Sequence, residues 1–225
     1  MKKAFTLIVL MVTPTMAFAQ GTVVFENQTG LVQQWTSLYD STPTPVPVGG
    51  GYVQLITSFK GNLLSNPLGV YSGSFGFLPG YSSLAGFLVA NVAWAAQAPV
   101  PINNAPGIFS GGTVTVFATS AGGEADYLVI GWTGPYATYD AAYAADLATP
   151  NSSLLGMSAI ATTATGDVFH TPPGTPVSLS TTFAGITLAP LYSRTVHFRA
   201  GRSGCCRAGG FPAVLVHSGI SGDQA

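Results

Sequence analysis

Polar and apolar residues alternate along several short stretches of this chain, each bounded by glycine, proline, asparagine or serine. Val53, Leu55, Thr57 and Phe59 share one side of the run Tyr52 to Phe59, and Val114, Val116 and Ala118 share one side of Thr113 to Thr119. Leu128, Ile130 and Trp132 do the same in Tyr127 to Trp132, while Thr22 to Glu26 is dense in β-branched and aromatic residues and leads into the turn-forming Asn27-Gln28-Thr29-Gly30. A period of two in such residue types predicts half-buried strands. Phe87 to Ala96, apolar on both faces, predicts one more. A helical period occurs at Tyr139, Ala142, Tyr143, Asp146 and Leu147, with Thr138 placed to cap the helix and Pro150 to end it.

Breaker-rich segments separate these elements. Ser41 to Gly51 holds three prolines and Gly49-Gly50-Gly51, Ala98 to Gly112 holds three more prolines, and Thr171 to Pro176 reads Thr-Pro-Pro-Gly-Thr-Pro. Proline lacks a backbone donor, so the first two are expected to stay outside any sheet. No fixed-period repeat is present. The pattern predicts a mainly β chain: a single β-sandwich or jelly-roll-like domain with one short late helix.

The first 19 residues differ in kind. Lys2-Lys3 precede an apolar run from Ala4 to Val12 broken only by Thr6; Thr13-Pro14-Thr15 ends it, and Ala17-Phe18-Ala19 is a small-x-small site. This is the layout of a secretory signal cleaved before Gln20, and its apolar core is about half the length a membrane span requires. The expected destination is the periplasm or the extracellular space.

A second seam lies at Ala189-Pro190. From Gln20 to Pro190 the chain has one lysine (Lys60), one histidine (His170), no arginine and no cysteine; residues 191–225 then bring Arg194, Arg199, Arg202, Arg207, His197, His217 and Cys205-Cys206. The expected organisation is a signal over 1–19, a sandwich domain over 20–190 and an aberrant, poorly ordered tail over 191–225. Seven carboxylates against Lys60 give the body a formal charge of −6, with nothing to neutralise phosphates, which argues against nucleic acid as a partner. A body of about 170 residues is large enough to bury roughly 70% of its unfolded surface, and it must do so without disulfides.

Candidate chemistry is sparse. His170 stands alone in a proline-rich loop, and no Gly-x-Ser-x-Gly elbow accompanies it, so a secreted serine hydrolase has no specific support. Glu124, Asp126, Asp140 and Asp146 could supply a carboxylate pair for glycoside hydrolysis, but acids at a strand entry more often solvate a turn, and no calcium-loop spacing accompanies them. No cofactor is indicated. Trp35, Trp94 and Trp132, with Tyr71, Tyr81, Tyr136 and Tyr139, could instead stack on sugars as a carbohydrate-binding face, or simply fill the core. Adjacent Cys205 and Cys206 are poorly placed to bond each other and lack metal-site spacing.

Six segments resemble the small secreted bacterial proteins that carry a PEP-CTERM sorting signal. They are Ala19-Gln20-Gly21-Thr22-Val23-Val24-Phe25-Glu26-Asn27, Tyr52-Val53-Gln54-Leu55, Val129-Ile130-Gly131-Trp132-Thr133, Tyr139-Asp140-Ala141-Ala142, Leu155-Gly156-Met157-Ser158 and Phe183-Ala184-Gly185-Ile186-Thr187-Leu188. The resemblance implies a non-enzymatic protein handled by an exosortase at the cell envelope and released or displayed with extracellular polysaccharide. In that family the closing strand is followed by Pro-Glu-Pro, an apolar helix and arginines; here Leu191-Tyr192-Ser193-Arg194 follows. With codon choices left open, a one-nucleotide shift from Ser193 onward permits Pro-Glu-Pro, a Gly/Ala/Leu-rich stretch and paired arginines in that order. The expectation is that a frameshift replaced the anchor, and that Cys205, Cys206 and the tail arginines carry no function.

Overall fold

The computed structural model describes residues 20–28, 31–35, 42–62, 83–167 and 174–190. The signal segment with Ala17 and Ala19, together with Tyr71, Tyr81, His170 and the tail with Cys205 and Cys206, lies outside them. The chain is mainly β and sandwich-like. Its strands are β1 (Gln20–Glu26), β2 (Val32–Gln34), β3 (Thr44–Pro45), β4 (Gly51–Phe59), β5 (Ala95–Ala96), β6 (Val100–Ala105), β7 (Ile108–Ser120), β8 (Glu124–Thr133), β9 (Leu155–Met157), β10 (Ala161–Ala164), β11 (Val177–Ser178) and β12 (Ile186–Leu188). Helix α1 (Leu84–Ala90) lies between β4 and β5, and α2 (Tyr139–Ala148) between β8 and β9.

Nine of these strands form one sheet in the order β10-β8-β4-β6-β7-β1-β11, with β9 also on β8 and β5 also on β4; β12, β2 and β3 form a smaller sheet. The pairings are antiparallel except β1 with β11 and β12 with β2. The large sheet folds over so that Val23 and Phe25 of β1, Phe109 and Val116 of β7, Val53 and Leu55 of β4, and Tyr127 and Val129 of β8 share one inner core. Val32, Ile186 and Leu188 of the small sheet close it. The strands predicted at Thr22 to Glu26, Tyr52 to Phe59, Thr113 to Thr119 and Tyr127 to Trp132 all form, as β1, β4, part of β7 and β8.

They are not all half-buried. Both faces of β4 and β8 are covered: Leu128, Ile130 and Trp132 point away from the inner core into a second cluster with Ile56, Phe87, Trp94 and Tyr139. The helices make that outer layer. Helix α2 forms where its pattern predicts, with the Thr138 hydroxyl accepting from the Ala141 N–H at 3.2 Å. It buries Tyr139, Ala142 and Asp146 and leaves Leu147 exposed.

Three expectations are corrected. The predicted strand at Phe87 to Ala96 is largely α1, with only Ala95–Ala96 extended. The Ser83 hydroxyl accepts from the Gly86 N–H and caps the helix, and Leu84, Phe87 and Leu88 fall on one helical face against the outer cluster. There are therefore two helices among the described residues, not one. The proline-rich segment from Ala98 to Gly112 does enter the sheet, as β6 and the start of β7. Its prolines sit where a missing donor costs little: β6 meets β4 over two rungs, Tyr52 with Pro101 and Val53 with Val100, and Pro106-Gly107 forms the hairpin turn, with φ +73° at Gly107. Likewise Thr44–Pro45 from the other proline-rich segment is β3, a two-residue edge strand.

Buried polar side chains fasten the long connections. Gln54 Nε2 donates to the Gln97 carbonyl at 2.7 Å, and Ser58 Oγ donates to that of Ala93 at 2.8 Å, which holds the passage from α1 to β6 against β4. Asn27, in the predicted turn, donates from Nδ2 to Gly107 O (2.9 Å) and accepts at Oδ1 from Phe109 N–H (2.7 Å), so it locks β1 to the β6–β7 hairpin.

Candidate functional site

The four carboxylates that could have formed a catalytic pair each have a place in the fold. Glu124, half exposed at the entry to β8, pairs with Lys60 Nζ at 2.5 Å. The hydrogen bond to Glu124 and its negative charge push the Lys60 amine above its ordinary value. Two residues on, Asp126 is buried, accepting from the Gly61 N–H at 2.7 Å and the Thr162 hydroxyl at 2.6 Å. It thus fixes the turn after β4 to edge strand β10. Asp140, in the first turn of α2, accepts from the Leu84 N–H at 2.5 Å and caps the start of α1. Asp146 is fully buried on the inner side of α2. Among the described residues, no group of three or more histidine, cysteine, aspartate or glutamate side chains could hold a metal ion.

The tryptophans do not make an exposed platform. Trp132 is fully buried, stacked on Tyr52 at 5.9 Å between ring centres and edge-on to Tyr139 at 6.2 Å, with Nε1 donating to the Tyr136 carbonyl at 2.8 Å. Trp94 is 3% exposed in the same outer cluster. Trp35, just past β2, is half-buried, its backbone N–H donating to the Leu188 carbonyl at 3.0 Å. The alternation that puts Leu128, Ile130 and Trp132 on one side of β8 is correct, but helices cover that side. Large aromatic rings bury roughly 150–250 Å² each, and here that area seals an outer layer.

A concave feature of the described surface lies elsewhere, at residues for which the sequence suggested no binding role. A cleft of about 320 Å³ opens between β9 and β12, lined by Gln33, Met157, Ser158, Ala184, Gly185 and Thr187 among others. A smaller hollow of about 60 Å³ adjoins it and shares Ser158, Ala159, Ala184 and Gly185. At the floor of the smaller one the Tyr127 hydroxyl lies 2.7 Å from that of Thr182. Burial pushes the Tyr127 phenol above its ordinary value, and the hydrogen bond to Thr182 pulls it partly back. Among the described residues, no charged side chain and no aromatic ring lines the larger cleft. In the sequence the site is two short runs, Met157-Ser158-Ala159 and Ala184-Gly185, without catalytic or metal-ligand spacing; their meaning comes from being opposite one another.

No helix among the described residues is long and apolar enough to cross a membrane. No protein-family model, curated protein or solved structure matches this chain.

Proposed function

We propose that the chain is an exported β-sandwich protein of the PEP-CTERM type, acting at the cell envelope or within extracellular polymer by association rather than by catalysis. The observation that carries this reading is the leader-like run ahead of Gln20: Lys2-Lys3, the apolar stretch from Ala4 to Val12 and the Ala17-Phe18-Ala19 site. Gln20, the residue after that site, belongs to β1 and pairs with Ser120 of β7. Among the described residues Ala189, beside the compositional seam, pairs with Leu155. Two further features agree with the reading. Both cores are built without cysteine, and Glu124, Asp126 and Asp140 are engaged in holding strands, turns and helices together.

The test is expression of the full chain in a Gram-negative host, with fractionation and N-terminal sequencing. A product beginning at Gln20 in the periplasm or medium is expected; an uncleaved cytoplasmic product overturns the proposal. A second arm restores the neighbouring reading frame after Pro190 in an exosortase-bearing host. Membrane retention followed by exosortase-dependent release is expected there, and identical behaviour of the two frames would remove the PEP-CTERM part of the reading.

A further inference from the structure

The outer helical layer turns its apolar residues to water and its polar ones inward. A surface helix normally does the reverse. On α2 both charged residues are taken up by the fold: Asp146 is fully buried, and Asp140 accepts from the Leu84 N–H. The exposed residues of α2 are Ala141, Ala144, Leu147 and Ala148. Helix α1 has no polar residue; Ala85, Gly86, Val89 and Ala90 are exposed on it. Its capping Asn91 is buried, with Nδ2 donating to Phe87 O at 2.9 Å, while Val89 is 78% and Val92 83% exposed.

Charge is missing from the stretches that build this layer. No charged residue occurs from Gly61 to Gly123, and from Tyr127 to Gly166 the two are Asp140 and Asp146. Depletion of charge, more than apolarity as such, marks the centre of a protein interface. The two helices share one layer, since both pack on the outer cluster and the bond from Leu84 to Asp140 joins their N-terminal ends. Ala85, Gly86, Ala141 and Ala144 lie towards that junction in sequence, and the bulkier Val89, Val92 and Leu147 lie towards the far ends.

We infer that this layer is the face through which two copies of the chain associate about a two-fold axis. Three features select a second copy. The partner such a face fits is itself uncharged and apolar, with small residues in one part and larger ones in another, which is what the face presents. A two-fold axis lets the bulky part of one copy rest on the small-residue part of the other. The body carries a formal charge of −6, so two copies repel through their charged surfaces and meet without that cost at the uncharged layer. The exposed apolar area is on the order of 500 Å² per copy, below the roughly 800 Å² per partner of a stable complex, so the association is weak and reversible. The inference does not depend on export, so the two readings can fail separately.

The experiment is sedimentation equilibrium of the full chain from about 10 μM to 1 mM, under reducing conditions so that Cys205 and Cys206 cannot link copies. A monomer–dimer equilibrium with a Kd of about 100 μM is expected. The double variant Val89→Asp, Val92→Asp should raise that Kd at least about tenfold without moving the unfolding midpoint, because both side chains already face water. Ala144→Arg on α2 should weaken the dimer in the same way, and it serves if the double variant does not fold. Phe117→Asp, at an exposed apolar residue of β7, should leave the Kd unchanged. A chain that stays monomeric up to about 1 mM overturns the inference, as does a dimer indifferent to the helix variants or equally weakened by Phe117→Asp. It is also overturned if the chain stays monomeric and instead floats with phosphatidylcholine vesicles, since the face would then belong to a lipid surface.

Discussion

The two cores of this domain sit on opposite faces of the same strands and are built differently. The inner one is made mostly of aliphatic side chains and Phe25, Phe109 and Phe183, drawn from strands distant in sequence. The outer one is made of Trp94, Trp132, Tyr139, Phe87 and the flanking Tyr52 and Tyr143, pressed under two helices of 7 and 10 residues. Helices so short are marginal alone, and their stability comes from the face they bury. Large rings compensate for short elements, because each covers as much area as several aliphatic side chains. Aromatics that would look like a binding face on a bare sandwich are here the seal between sheet and helices.

The largest effect should come from removing that seal. Trp132→Ala is expected to lower stability by about 3–5 kcal/mol, measured by denaturant unfolding, because the ring is fully enclosed and its Nε1 bond to Tyr136 is lost. Leu55→Ala, the inner counterpart, should cost about 2–5 kcal/mol. If the tryptophan loss came out below about 1 kcal/mol, the outer layer would be loose cover and the comparison would fail. Next in size is Asp140→Ala, which leaves the Leu84 N–H without its acceptor at about 1–2 kcal/mol. Hydrogen exchange should quicken in α1 and α2 while β1 and β7 keep their protection; uniform quickening would mean that the two cores unfold as one.

Two smaller effects concern charge. Tyr127 faces the inner core and its phenol is raised by burial above 10.0. A raised folded value stabilises below the unfolded value and loses that contribution as pH climbs through the folded one, so stability should decline as pH rises past 10.0. Tyr127→Phe should flatten that decline at a cost of about 1 kcal/mol near neutrality, from the lost bond to Thr182. Lys60 is raised as well, above 10.5, with the same sign and a later window. Its ion pair is half exposed on both sides, and Lys60→Met is expected to leave the unfolding midpoint and the alkaline decline unchanged. An alkaline decline that vanished with Lys60 instead of Tyr127 would reverse the assignment.

What was legible in the residues was local. The two-residue period placed β1, β4 and β8, and the Thr138 cap with the Tyr139–Ala142 spacing placed α2, because these signals act within a single element. Reading prolines as a bar to sheet formation misplaced β3 and β6, since what matters is whether the particular N–H would have had a partner at an edge or a short ladder. Phe87 to Ala96 misled because an apolar run without clear alternation has no preferred period; the Ser83 cap was the better guide.

By itself, then, the sequence determined the β class, the main strands, the second helix with its cap and the two compositional seams at Gln20 and Pro190. It could not say which face of β8 met helices and which met sheet. Alternation defines two faces but not what covers them, and cover is a matter of contacts between segments far apart in the chain. The cleft is the extreme case. Met157, Ala184 and Gly185 are ordinary residues, and only the approach of β9 to β12 sets them around one hollow. A hollow between strands far apart in the chain has no signature in either strand, and the tertiary structure alone can show it.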